Sequence, residues 1–175
     1  MSKKAVSTVK YTGTVSLKMV KNGKVIKSTK VKNEGYNHLF RCLATLIAGQ
    51  DATPMIPNYI DASAMLPTET NYESSLYNVV PITSRQTELG SDVRDSSSAI
   101  LTAAINASNI QTDKSSTIKY LVLKYVGSAE VANCASINVP EGFTNIGQGL
   151  TLIIDWKLTF GNGDIITSSS DATGD

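Results

Sequence analysis

No arginine occurs before Arg41, no acidic residue precedes Glu34, and one histidine, His38, serves all 175 residues. Each scarcity excludes a class of chemistry. General acid–base catalysis most often uses histidine. The only one here sits beside Arg41 and Thr45, off the apolar stripe of its segment, so a solvated helix position is expected. Two cysteines, Cys42 and Cys134, are too few for a disulfide framework, and with one histidine they cannot complete a zinc site. A single bridge between them is compatible with the count, but two buried structural thiols are expected, since neither context would lower a thiol pKa. No apolar run reaches membrane-spanning length, so no membrane partner is expected. No apolar stretch follows Met1-Ser2-Lys3-Lys4, so the expectation is a chain without a secretory signal, folded in a reducing cytoplasm. A glycine-rich phosphate loop and an internal repeat are both missing.

Carboxylates alone can suffice for glycoside hydrolysis. The closest pair, Asp92 and Asp95, lies in the polar turn Gly90–Ser96 with Arg94 between them, and nothing nearby would bury one of them. Asn162, Asp164 and Asp171 do not have the spacing of an EF-hand loop. The expectation is therefore a protein without catalytic activity, metal or cofactor.

What is present is a charge split by position. Residues 1–32 hold nine lysines and no acid, and the remaining 143 residues carry seven basic and fifteen acidic groups. A net charge of +1 thus conceals a basic arm of +9 on a body of −8. Such a molecule is suited to electrostatic docking, on an acidic partner or on another copy of itself. Lys18, Lys21, Lys24, Lys27 and Lys30 are the candidate docking residues. Nucleic acid is the weaker candidate partner, because arginine is absent and Tyr11 is the only nearby aromatic. The plainest alternative is an edge hairpin made soluble by lysine.

The hydrophobic content of 41% with 18% charged residues suits one folded domain. Residues 1–12 read as a flexible basic arm and residues 13–167 as a single β-sandwich domain, with 168–175 as a disordered tail. Val15, Leu17 and Met19 alternate with polar neighbours, and Asn22-Gly23 then favours a type I′ turn, giving a hairpin over 14–32. A two-residue loop sets Met19 opposite Ile26 and Lys18 opposite Lys27, a like-charge pair. Leu39, Phe40, Leu43, Leu46 and Ile47 recur at helical spacing, predicting one amphipathic helix over 36–48 whose apolar stripe faces the core. Asn37 is its expected N-cap and Gly49 its stop. Residues 50–78 read as a long loop broken by a short strand near Tyr59–Ala62. Tyr59, Tyr72 and Tyr77 in it are candidate contacts for a partner or glycan.

Beyond the loop the pattern is β throughout. Strands are expected at Val79–Glu88, Ala99–Asn106, Thr117–Val126, Val131–Val139 and Leu150–Phe160, with a weak one at Ile165–Thr167. Alternation in the last long strand points Leu152, Ile154, Trp156, Leu158 and Phe160 inward. The fold class is mainly β: an antiparallel β-sandwich or jelly roll with one helix and an N-terminal hairpin.

The order of these segments carries a resemblance. A lysine-rich hairpin leads into Asn33-Glu34-Gly35-Tyr36-Asn37-His38-Leu39 and a helix ending near Ala48-Gly49. Tyr59-Ile60-Asp61-Ala62 and Val80-Pro81-Ile82-Thr83-Ser84-Arg85 follow, and the last long strand carries Trp156-Lys157-Leu158-Thr159-Phe160. Over roughly residues 13–165 this resembles small virion proteins of tailed bacteriophages, found among neck, collar, tail and fibre components. Those proteins share an Asn-x-Gly opening before a Leu-rich helix and a closing Trp-x-Leu/Ile-x-Phe strand. Ile60-Asp61-Ala62-Ser63 departs from their small-residue run, and the loop after it is longer. The resemblance implies a non-enzymatic sandwich subunit assembled in the host cytoplasm into the virion. Its partners would be itself, as a ring or trimer, and other virion proteins. A receptor- or glycan-binding fibre module is the alternative.

Overall fold

The computed structural model describes residues 5–7, 11–63, 78–91, 95–110, 117–161 and 165–167. Eleven strands and one α-helix form a mainly β fold of two antiparallel sheets, among those residues. Strand β1 (Ala5–Ser7) pairs with β11 (Ile165–Thr167) as a separate ribbon. In the larger assembly the first sheet runs β3 (Lys24–Gly35), β2 (Tyr11–Lys21), β10 (Leu150–Phe160), β7 (Ser97–Asn106), β6 (Ser84–Glu88). The second runs β5 (Asn78–Pro81), β4 (Tyr59–Ser63), β8 (Tyr120–Val126), β9 (Val131–Asn138). The long β3 joins them, since Glu34 and Gly35 at its end leave β2 and pair with Ser136 and Ala135 of β9.

Alternation builds the core. Val15, Leu17 and Met19 of β2, Leu101, Ala103 and Ile105 of β7, and Leu152, Ile154, Trp156 and Leu158 of β10 are all buried. They meet Ile60 and Ala62 of β4, Leu121 and Leu123 of β8, and Ala135 and Ile137 of β9 from the facing sheet. Phe160 is partly buried and packs against the same cluster. Two sheets with opposed apolar faces make a sandwich.

Each end of the sandwich has its own closure. At one end the β2–β3 hairpin turns through Asn22 (φ 49°) and Gly23 (φ 75°), the positive angles that a type I′ turn needs. Beside it, Phe143 and Ile146 from the loop after β9 seal the core. At the other end helix α1 (Asn37–Ile47) inserts Leu39 into the core and rests on β9. Phe40 meets Tyr11 edge-on, with ring centroids 5.4 Å apart, and Tyr11 in turn lies 5.5 Å from Phe160. Gly13 is required there: a Cβ would overlap the Asn33 carboxamide, whose Nδ2 donates to the Tyr11 hydroxyl at 2.9 Å.

Several expectations are corrected. The basic arm is not loose throughout, since Ala5–Ser7 is strand and Tyr11 and Thr12 belong to β2. The tail at 168–175 lies outside the described residues. Tyr36, not Asn37, is the helix N-cap, and its side chain accepts no capping hydrogen bond. The strand expected over Val79–Glu88 is two strands in different sheets. The chain crosses at Pro81-Ile82-Thr83, where the Ile82 N–H still donates to the Asn58 carbonyl at 3.0 Å and the next, of Thr83, donates to the Thr102 carbonyl at 2.8 Å. The loop expected over 50–78 contains a 3₁₀ turn, Thr53–Met55, before β4.

Candidate functional site

The five candidate lysines do not form one face. A bulge between Met19 and Val20 puts one extra residue, Ile26, into β3, so Met19 faces Lys27 and Lys18 faces Ser28. The like-charge pair expected between Lys18 and Lys27 is therefore absent. Lys18 points outward from the first sheet, 3.7 Å from Asp155 Oδ2, and Asp155 Oδ1 accepts from Thr102 Oγ1 at 2.7 Å. Lys27 lies on the opposite side, where its amine donates to the Gly142 carbonyl at 2.6 Å, 5.6 Å from the Phe143 ring centroid. Lys30 borders a groove of about 270 Å³ on the outer face, floored by Thr102, Asp155 and Lys157. Lys21 and Lys24 pair across the turn and are exposed, with Val25 (55% exposed) and Ile26 (51%) beside them.

Lysine also marks an open edge. Among the described residues no strand pairs with Lys24–Asn33 on the side away from β2. Lys24, Lys27, Lys30 and Lys32 in that stretch blunt it against indiscriminate strand addition. The edge thus accounts for much of the lysine content, and the hairpin tip remains as a basic and partly apolar exposed surface.

The helix is turned from its expected orientation. His38, Leu39 and Cys42 are its buried residues, whereas Phe40 is 42% exposed, Leu43 half-buried, Leu46 49% exposed and Ile47 87% exposed. Only Leu39 of the five stripe residues is core. His38 is not solvated: its Nε2–H donates to the Met55 carbonyl at 3.1 Å, and its ring stacks 6.0 Å from Tyr125. These contacts hold the polar side of α1 against the fold and leave Leu46 and Ile47, at the end of the stripe, facing water. Arg41 on the helix, Asp51 four residues beyond it, and Glu130 in the β8–β9 turn are exposed charged residues. Hydrogen bonds from Thr53 hold the Asp51 carboxyl below its ordinary pKa, so it stays anionic.

A further constellation had no signal in the sequence. Asp61 on β4 and Lys124 on β8 project from the second sheet on the side away from the core, yet both are buried. Lys124 Nζ is 3.2 Å from Asp61 Oδ2, and Asp61 Oδ1 accepts from the Asn78 backbone N–H at 2.8 Å. Burial pulls the Lys124 amine below its ordinary pKa, and Asp61 draws it part of the way back. Nothing in a run such as Tyr59-Ile60-Asp61-Ala62-Ser63 announces that its acid lies diagonally across from a lysine sixty-three positions on.

Tyr59 is half-buried at the start of β4, while Tyr72 and Tyr77 lie outside the described residues, as do Asp92, Asn162, Asp164 and Asp171. Asp95 accepts from the Ser91 backbone N–H at 3.1 Å and from the Ser91 hydroxyl at 3.0 Å, which closes its own turn. That turn rims an open hollow of about 510 Å³ with Glu88 and Lys157, themselves paired at 2.6 Å. Cys42 and Cys134 are free and buried. Desolvation raises both thiols, Cys134 to about 12. Neither should react with a disulfide reagent such as DTNB at pH 8 in the native protein, and both should react in urea. Rapid labelling of the native chain would contradict this burial.

No helix among the described residues is long and apolar enough to cross a membrane. No cluster of three His, Cys, Asp or Glu side chains that could hold a metal occurs among them. Compared with protein-family models, curated proteins and solved structures, the chain matches none.

Proposed function

We propose that this chain is a structural subunit that works by associating with other copies of itself, as a virion protein of the tailed-bacteriophage neck, tail or fibre type would. One observation carries the reading: Leu46 and Ile47, with the outer side of Phe40 and Leu43, leave an apolar helix face in water. Contiguous exposed apolar surface is the mark of an interaction site, whereas isolated apolar side chains are ordinary. His38 and Tyr125 pin the helix in this rotation, so the face is built into the fold. The occupant that fits best is a second copy, because the body of −8 offers a ready complement to the exposed lysines of a neighbouring copy. Closed rings or trimers follow when such contacts repeat by symmetry. The phage assignment rests on the resemblance in segment order, and the surfaces support only the assembly part.

Replacing Leu46 and Ile47 by Gln tests the reading. Exposed positions of this kind change monomer stability by no more than about 0.5 kcal/mol, so the variant should fold normally and lose self-association. Light scattering of both proteins is the measurement, and an unchanged oligomer mass in the variant would remove the helix face from the account. Gold-labelled antibody on intact phage particles checks the virion assignment separately, and particles that lack the chain would overturn it.

A further inference from the structure

We infer that Asp61 and Lys124 join in a self-generated amide cross-link, a covalent bond between β4 and β8 made after the chain has folded. The inference stands apart from how copies associate. In the structure the two side chains form the open pair, and they are placed as reactants. Asp61 is fully inaccessible and Lys124 is 2% exposed, so bulk water is kept from both. Lys124 Nζ lies 3.2 Å from Asp61 Oδ2, which puts the amine within reach of the carboxyl carbon. Reacting atoms held about 3–3.5 Å apart are near the geometry of attack. The other oxygen, Oδ1, accepts from the Asn78 backbone N–H at 2.8 Å. When an amine adds to the carboxyl carbon, negative charge develops on such an oxygen, and a fixed backbone donor stabilises it.

The chemistry balances within the pair. Burying two charges is costly, and moving one proton from the ammonium to Oδ2 leaves a neutral amine beside a carboxylic acid. Burial already holds the Lys124 amine below its ordinary pKa, which favours this exchange. A desolvated neutral lysine is a nucleophile. Its lone pair forms the bond to the Asp61 carboxyl carbon, and the bond from that carbon to Oδ2 breaks. Oδ2 leaves as water, carrying the first proton and a second that the nitrogen gives up on becoming an amide. No oxidant or outside reactant takes part. The product replaces two buried charges with one neutral group. It also closes the chain between positions 61 and 124, a constraint that neither cysteine supplies, since both are free.

Mass spectrometry of the wild-type protein, at intervals after folding, tests this. The intact chain of 18.7 kDa should lose the mass of one water, in a fraction that grows with time. Trypsin does not cut after an acylated lysine, so the digest should contain residues 42–85 joined to residues 120–157. Lys124→Met has no amine to react and should keep its full mass. The assignment does not depend on the stability of that variant, because the wild-type digest identifies both residues. A wild-type chain that keeps its full mass throughout, with residues 120–124 released by trypsin, overturns the inference. A loss of water that maps within a single peptide, or that Lys124→Met also shows, overturns it as well.

Discussion

Lys124→Met is expected to cost the fold about 3–5 kcal/mol, because it strands a buried carboxylate. Asp61 is fully inaccessible and its partner amine lies 3.2 Å away. Replacing Asp61 by Asn in the same chain should recover most of the loss. Asn keeps a carbonyl oxygen for the Asn78 N–H that donates at 2.8 Å, and neither residue is then charged. The reverse single change, Asp61→Asn, leaves the buried ammonium without its carboxylate. Its pH dependence has a definite sign. A lysine whose folded pKa lies below 10.5 loads the full cost of burying its charge on the fold at any pH below that folded value. As pH rises through the folded value the native state releases its proton first, the unfolded chain binds more, and stability climbs until 10.5. Removing Asp61 takes away the group that draws the pKa back up, so the Asp61→Asn penalty should shrink between pH 7 and pH 10. Urea unfolding at the two pH values measures it. A penalty that grows with pH would mean that Lys124 is not held in a desolvated site.

The second large effect belongs to the only tryptophan. Trp156→Ala should destabilise by about 3–5 kcal/mol through lost burial and the cavity that remains. Trp156 is inaccessible at the middle of β10, between β2 on one side and β7 on the other. Its Nε1–H finds no acceptor among the described residues. Trp156→Phe should therefore lose much less than the alanine variant, because it keeps most of the ring and removes an unpaired donor. Chemical denaturation followed by far-ultraviolet circular dichroism compares the three proteins. Equal losses in the two variants would show that the indole N–H has a partner the ring cannot replace.

The strands were legible because one side chain in two is apolar along Val15–Met19 and Leu152–Leu158, and Asn22-Gly23 could hardly be anything but a hairpin turn. Register was less so. Periodicity cannot display a bulge, and the single residue inserted at Ile26 moved Lys27 to the other partner and freed Lys18 for Asp155. The helix was found, but its rotation was misjudged. An apolar stripe ordinarily faces inward, and only His38 bonded to Met55 and stacked on Tyr125 turns this one out. Those partners are seventeen and eighty-seven positions away, so no local pattern encodes them. The same holds for Asp61 and Lys124, which pairing of β4 with β8 brings together. The exposed helix face became a candidate site because a sequence rule failed there, which is where functional surfaces often lie.

The most direct test is the mass of the unmodified protein in solution, by light scattering at about 50 mM and about 500 mM salt, where the screening length falls several-fold. Self-assembly assisted by charge predicts a discrete multiple of 18.7 kDa at low salt that loosens at high salt. A single species of 18.7 kDa under both conditions, at every concentration, would contradict it.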